Sequence, residues 1–172
     1  LKSKHDIVIS AIGELSKDKD SHKLNLIDQM INSNYIYPAK CLEIISNIFL
    51  KENSPKEKII LGISSVAGDR GRATNFYYGA AKSAFTVFLS GLRQKLSKSK
   101  IIIITVSLGF VDTKMTKKEK IPNLLSTNPE IIAKKIIECV EKKKLIYIPI
   151  RWKIIMTIVK LIPESIFKKL NF

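Results

Sequence analysis

Residues 101–109 read IIIITVSLG, and the first six of them are all β-branched. Side chains branched at Cβ lose freedom in a helix and pack well on a pleated surface, so the run predicts a strand. It has no apolar/polar alternation, so both faces must be covered. That is the condition of a central strand in a parallel sheet flanked by helices. The remainder of the chain must then supply helices for two faces and further strands as neighbours.

It does. Asp6–Gly13, DIVISAIG, is an apolar run closed by glycine and reads as a strand buried on both faces. From Leu24 to Leu50 apolar residues recur at helical spacing (Leu24, Ile27, Ile31, Tyr35, Leu42, Ile45, Phe49), with Pro38 inside the run, which predicts a long, kinked helix. IILGISS, ending at Ser65, is a second buried strand, and Tyr78–Lys98 is a helix that alternates small and apolar residues. Phe110–Ser126 reads as a loop carrying Lys117, Lys118 and Lys120. Asn128-Pro129-Glu130 opens another helix, with proline at its first position, and Leu145–Ile150 is a fourth strand. Strands alternating with helices at this spacing imply a three-layer α/β domain with a parallel sheet. Ligands of such sheets sit beyond the carboxyl ends of the strands. Gly13, Ser65 and Gly109 each fall at such an end, so three loops should converge on one crevice.

The bulk numbers narrow the functional classes. A chain of 172 residues is long enough for one domain with a sizeable core. Its formal charge is +15, but the lysines are spread along the chain without an arginine-rich arm, and no partner nucleic acid is expected. The two cysteines, Cys41 and Cys139, lie in apolar helical patterns outside any metal spacing, so they read as reduced core residues and no metal is expected. The opening LKSKHDIVISAIG has no continuous signal-peptide stretch, and no apolar run reaches the length of a membrane span. A cytoplasmic setting follows as the expectation.

The chemistry concentrates in residues 64–82, SSVAGDRGRATNFYYGAAK. Tyr78 and Lys82 are four apart and share a helical face. An ammonium close to a phenol favours phenolate and would bring its pKa toward the range of a general acid or base. Alone, the spacing equally describes a surface helix pair. Ser65 adds a hydroxyl at a strand end, where it could hydrogen-bond a substrate carbonyl that Tyr78 protonates. Ser64 should point to the opposite face of the strand.

Ser65, Tyr78-x-x-x-Lys82 and GFVDT, Gly109–Thr113, together resemble the short-chain dehydrogenase/reductase family. The resemblance implies a doubly wound, Rossmann-like domain and an NAD(P)H-dependent oxidoreductase that reduces a ketone or oxidises a secondary alcohol. Tyr78 would donate the proton, Ser65 would orient the carbonyl, and Lys82 would lower the tyrosine pKa while binding the nicotinamide ribose. SAIG, Ser10–Gly13, matches the position of the family's Asn-Asn-Ala-Gly turn, placing Ala11 and Gly13 against the cofactor. Asn34 matches the helix asparagine that holds a water of the proton relay, and Gly109, Val111 and Thr113 would complete the cofactor contacts. Leu108 stands where the family usually has proline before that glycine.

No glycine-rich G-x-x-x-G-x-G phosphate turn occurs in the sequence, so the chain resembles the family's carboxyl-terminal two-thirds, lacking the amino-terminal strands, and an unpaired apolar sheet edge is expected at Asp6–Gly13. An inactive remnant serving as an interaction or membrane-surface protein is the alternative. Within the family, residues 63–84 and the ending, 147–170, are similar to reductases of decaprenylphosphoryl keto-pentose, implying a small-molecule, sugar- or lipid-linked keto substrate. Residues 1–150 form the domain, and 151–172 a basic amphipathic tail bent at Pro163. That tail suits either a peripheral contact with the inner face of an anionic membrane or a homo-oligomer contact.

Overall fold

The structure is a computed structural model that describes residues 6–15, 24–52, 54–113, 116, 125–142 and 146–170. The β-branched run is β3, Ile101–Leu108, and it lies inside a four-stranded parallel sheet. On one side it pairs along its whole length with β2, Lys58–Ser65, in the register Lys58↔Ile101 to Ser65↔Leu108. β2 in turn pairs with β1, Ile7–Ser10. Among the described residues, the other edge of β3 meets β6, Ile146–Ile148, over Val106–Leu108 only. Arg93 serves the uncovered stretch: its Nε donates to the Ile103 carbonyl at 2.9 Å and its Nη2 to Thr105 Oγ1 at 2.6 Å.

Alternation along β2 and β3 sorts the core into two layers. Ile60, Ile101 and Ile103 face Leu42, Phe49, Phe85, Leu89 and Leu92, which come from α2 (Tyr37–Glu52) and α3 (Phe76–Lys95). Ile59, Leu61, Ile104 and Val106 face Ile132 and Cys139 of α4, Pro129–Lys142. Two covered faces are what a strand with apolar residues on both sides requires. Gly62 lets α3 approach the sheet, since a Cβ there would lie 2.4 Å from Leu89 Cδ1. The three-layer α/β, Rossmann-like architecture expected from the sequence is present.

Several elements differ from expectation. β1 spans Ile7–Ser10 rather than Asp6–Gly13, and Ile7 and Ile9 are 46% and 49% exposed. By register they share the face of Ile59 and Leu61, but α4 sits farther along the sheet, over β3 and β6. Only Val8 and Ser10 point into the packed side. The long helix is broken ahead of Pro38: α1, Leu24–Ile31, passes through a π-helical turn, Asn32–Ile36, into α2. The Tyr37 N–H donates to the Asn32 carbonyl, five residues back. Proline cannot donate at all, so the widened turn comes just before it. Cys41 is exposed, because it flanks the stripe Pro38, Ala39, Leu42, Ser46 and Phe49 that α2 buries; Cys139 is buried as expected. α3 starts two residues before Tyr78 and ends at Lys95, which puts Tyr78 in its first turn.

The segment expected as a loop contains β4, Phe110–Val111, which pairs in parallel with β5, Ser126–Thr127; Lys117, Lys118 and Lys120 lie outside the described residues, as does Leu145. α4 begins as predicted, with the Glu130 N–H donating to Asn128 Oδ1 at 2.7 Å. After β6 the chain forms α5, Arg151–Leu161, and a short α6, Glu164–Phe167, separated at Pro163. Trp152 and Met156 of α5 are buried against Val66. Arg70, in the loop after β2, donates to the carbonyls of Val159 and Ile162 at 2.6 Å each, pairs with Glu164 at 3.0 Å and stacks on Phe167. Ile154, Ile158 and Leu161 form the outer, exposed face of α5. Among the described residues, no helix is long and apolar enough to cross a membrane.

Candidate active site

The carboxyl ends of β1, β2 and β3 open into one cavity of about 320 Å³. Gly13, Ser65 and Gly109 all line it, which is the convergence expected of a parallel sheet. So do Ala11, Tyr78, Lys82, Val111 and Thr113. Six of those eight positions come from the loops or helix that follow strand ends; Ser65 is itself the last residue of β2, and Val111 belongs to β4.

Ser65 has extended backbone, and its Oγ accepts the Ala67 N–H at 3.2 Å, which opens the 3-10 turn Val66–Gly68. The hydroxyl's own proton goes to the Leu108 carbonyl at 3.5 Å, the long limit of a hydrogen bond, so a better-placed acceptor in the cavity can take it. Ser64 points the other way, as alternation demands: its Oγ donates to the Lys82 carbonyl at 3.1 Å and lies 2.7 Å from Thr86 Oγ1. That pairing ties β2 to α3 and so fixes how Tyr78 stands over Ser65.

Burial pushes the Tyr78 phenol above its ordinary pKa, while hydrogen bonding with Ser65 and the charge of Arg72 pull in the opposite direction. The phenol is therefore protonated at neutral pH, the state required of a proton donor. Lys82 was expected to draw that pKa down. Instead its Nζ donates to the carbonyls of Ile12 and Ile63, at 3.3 Å each, and lies 5.8 Å from the centre of the Tyr78 ring. It is 4% exposed, and desolvation lowers its pKa to about 8. The cation beside Tyr78 that favours phenolate is Arg72.

Asn34 does not line the cavity. Wholly buried in the π-helical turn, it clamps the residue after Gly13: its Oδ1 accepts the Glu14 N–H at 3.0 Å, and its Nδ2 donates to the Glu14 carbonyl at 2.9 Å and the Met30 carbonyl at 3.1 Å. A Cβ on Gly13 would come within 2.9 Å of both Asn34 Oδ1 and Lys82 Nζ. Glycine is what allows the loop to pass between them. Asn34 thus sets the rim of the cavity from behind.

Sequence reasoning missed Arg72 and Asn75, which lie in the turn-rich part of 64–82 and also line the cavity, and Trp152, which packs against Gly109. Asn75 offered a signal, since asparagine before a helix normally caps it. Here it occupies that position without capping.

With this geometry in place, the sequence matches the short chain dehydrogenase family over residues 4–123. The chain belongs to that family. An uncharacterized oxidoreductase of Staphylococcus epidermidis is 30% identical over 113 residues, 65% of this chain and 48% of that protein. The chain spans about half the length of the curated relatives it matches. A short chain dehydrogenase of Burkholderia cenocepacia in complex with NADP superposes with a TM-score of 0.81 at 15% identity, over 96% of this chain and 70% of that one. One from Sphingobium yanoikuyae in complex with NADPH gives 0.73 at 17% identity, over 95% and 68%. The short chain dehydrogenase match includes every candidate site residue and stops before α4. The structural likeness over 96% of the chain carries the family's fold well beyond that point.

Proposed function

We propose that this chain carries the catalytic and substrate-binding part of a nicotinamide-dependent oxidoreductase that interconverts a ketone and a secondary alcohol. The observation that supports it is the meeting of Ser65, Tyr78 and Lys82 in one cavity at the carboxyl ends of parallel strands. In reduction, Ser65 donates a hydrogen bond to the carbonyl oxygen and holds it against the phenol. Tyr78 transfers its proton to that oxygen as negative charge develops there. In oxidation the same groups run in reverse.

NAD(P)H, seen as NADP and NADPH in complex with the two superposed short chain dehydrogenases, is the cofactor this reading requires. When bound, the nicotinamide supplies the hydride that reaches the carbonyl carbon. The residues fit its ribose end: an ammonium has three protons, and two of those on Lys82 Nζ are taken by Ile12 and Ile63, leaving one for a ribose hydroxyl. Gly13 keeps the space in front of it open. Ala11, Gly109, Val111 and Thr113 form the walls around that position. The chain contains no glycine-rich phosphate turn, so its residues meet only the nicotinamide and ribose end in this proposal. A sugar- or lipid-linked keto substrate belongs to the same proposal and rests on the resemblance of residues 63–84 and 147–170.

The test is NAD(P)H oxidation by the full chain across a panel of ketones, compared with Tyr78→Phe. Phenylalanine preserves the ring and removes the proton, so turnover should fall by about 10²–10⁴-fold, with an unchanged circular dichroism spectrum. Equal turnover in the variant, or none in the wild-type chain with any ketone, overturns the reading.

A further inference from the structure

The proposed reaction uses Ser65, Tyr78 and Lys82, and leaves two polar groups of the same cavity without work. Arg72 Nε is buried and has no hydrogen-bond partner. Asn75 Oδ1 is likewise buried and unpartnered. Both residues line the cavity with Tyr78. Buried polar atoms in folded proteins are nearly always satisfied, and a guanidinium NH left dry costs more than a neutral one. Asn75 is the sharper case. It occupies the N-cap of a 20-residue helix, where its side chain would ordinarily accept a backbone N–H and contribute about 1 kcal/mol, and it makes no such bond. The residue lines the cavity instead.

Among the described residues, no carboxylate pairs with Arg72. The nearest loop cation, Arg70, is committed to α5 and α6 and takes up Glu164 at 3.0 Å. Glu164 also borders the smaller cavity of about 140 Å³ on the far side of Arg72, so its carboxylate is already paired there. Elsewhere the main cavity is walled by apolar side chains such as Val66, Leu108 and Val111. Beyond Lys82, which the reductase reading assigns to the cofactor, this largely apolar pocket holds one further cation and one amide, each with an unpartnered buried atom, which describes a site for a body carrying a single anionic group.

We propose that Arg72 and Asn75 form an anion subsite that selects ketones bearing a carboxylate or phosphate within reach of the carbonyl held by Ser65 and Tyr78. The subsite rests on the reductase reading for the placement of that carbonyl, but not for the binding of the anion. Arg72 donates from its fork to the anionic oxygens. The Asn75 amide, rotated about its last torsion, presents an N–H to the same group. The anion also has a consequence for the chemistry. Arg72 is the charge that favours the Tyr78 phenolate. Neutralising it on binding keeps the phenol protonated, as a proton donor must be.

Isothermal titration of the full chain separates this proposal from its alternatives, using two matched pairs: acetoacetate against methyl acetoacetate, and dihydroxyacetone phosphate against dihydroxyacetone. The wild-type chain should bind at least one charged member about tenfold or more tighter than its neutral partner, and the responding pair identifies carboxylate or phosphate. Arg72→Met should erase that preference and leave the neutral members unchanged. Arg72→Lys, which keeps the charge should the methionine variant fold poorly, should retain part of it. Tyr78→Phe should keep the whole preference even where turnover is lost, so failure of the reductase reading leaves this result standing. Equal binding within both pairs, no binding of either charged probe, or a preference that survives in Arg72→Met overturns the subsite. So does displacement of the charged probe by saturating NADH, which would assign the anion position to the cofactor.

Discussion

Lys82 is an ammonium placed where water scarcely reaches. It is 4% exposed, its pKa falls to about 8, and two backbone carbonyls at 3.3 Å are its only hydrogen-bond partners among the described residues. Below pH 8 it is charged both folded and unfolded, and the cost of burying that charge is carried in full. Between pH 8 and its unfolded value near 10.5 the folded chain releases the proton while the unfolded chain retains it. The unfolded state then binds more protons, so stability rises with pH across this window. The gain is roughly 3 kcal/mol at 1.36 kcal/mol per pKa unit. Lys82→Met removes the charge at every pH. Its stability relative to wild type should be most favourable below pH 8 and decline by that amount toward pH 10.5, as urea unfolding at pH 7 and 10.5 would register. The hydrogen bonds lost to Ile12 and Ile63 give an offset that cancels between the two pH values. Parallel curves would show that the ammonium is hydrated and that its closeness to Tyr78 carries no tension.

At the scale of elements, the π-helical turn Asn32–Ile36 fixes the cavity rim by aiming Asn34 at the backbone of Glu14. Asn34→Ala would leave the Glu14 N–H and C=O without their side-chain partner in a half-buried place. At roughly 1–3 kcal/mol for each fully buried unsatisfied group, and less where water reaches part of the site, a loss of about 2–4 kcal/mol follows for the two. Hydrogen exchange should also speed up at Glu14 and the end of β1; a loss under about 1 kcal/mol would mean that water replaces the clamp. The sequence made much of this architecture readable. β-branched runs marked β2 and β3, their glycine and serine ends marked the cavity, and the spacing of Tyr78 and Lys82 put both on one face of α3. What stayed hidden depends on long-range geometry. The helix pattern around Pro38 does not reveal that the turn before it widens. Asn34 could be matched to a role by resemblance, but its partner Glu14 lies twenty residues away. Arg72 and Arg70 sit two apart in one loop, yet one is spent on docking α5 and the other faces the cavity. No local pattern distinguishes them.

For the molecule as a whole, the closing contact is between Gly109 at the end of β3 and Trp152 at the start of α5. A Cβ on Gly109 would lie 1.8 Å from Trp152 Nε1, so the indole occupies the space that glycine vacates. Trp152 is 4% exposed and, with Met156, seals α5 onto Val66 behind the cavity, while Arg70 holds the far end of the same helix. Gly109→Ala cannot coexist with that packing and should expel the indole. Its cost should approach the roughly 3–5 kcal/mol of a buried Trp→Ala change. The double variant Gly109→Ala/Trp152→Ala should be no less stable than Trp152→Ala alone, because both substitutions break one contact. Trp152 is the chain's sole tryptophan, so its emission reports the event directly: in Gly109→Ala it should shift to the red and become accessible to quenchers. Arg70→Ala, which releases only the other end of α5, should leave the indole emission close to wild type while loosening α6. If Gly109→Ala kept native emission and native stability, α5 would be held by its other contacts, those of Arg70, Arg151 and Met156 among them, and the back wall of the cavity would be independent of the strand end it covers.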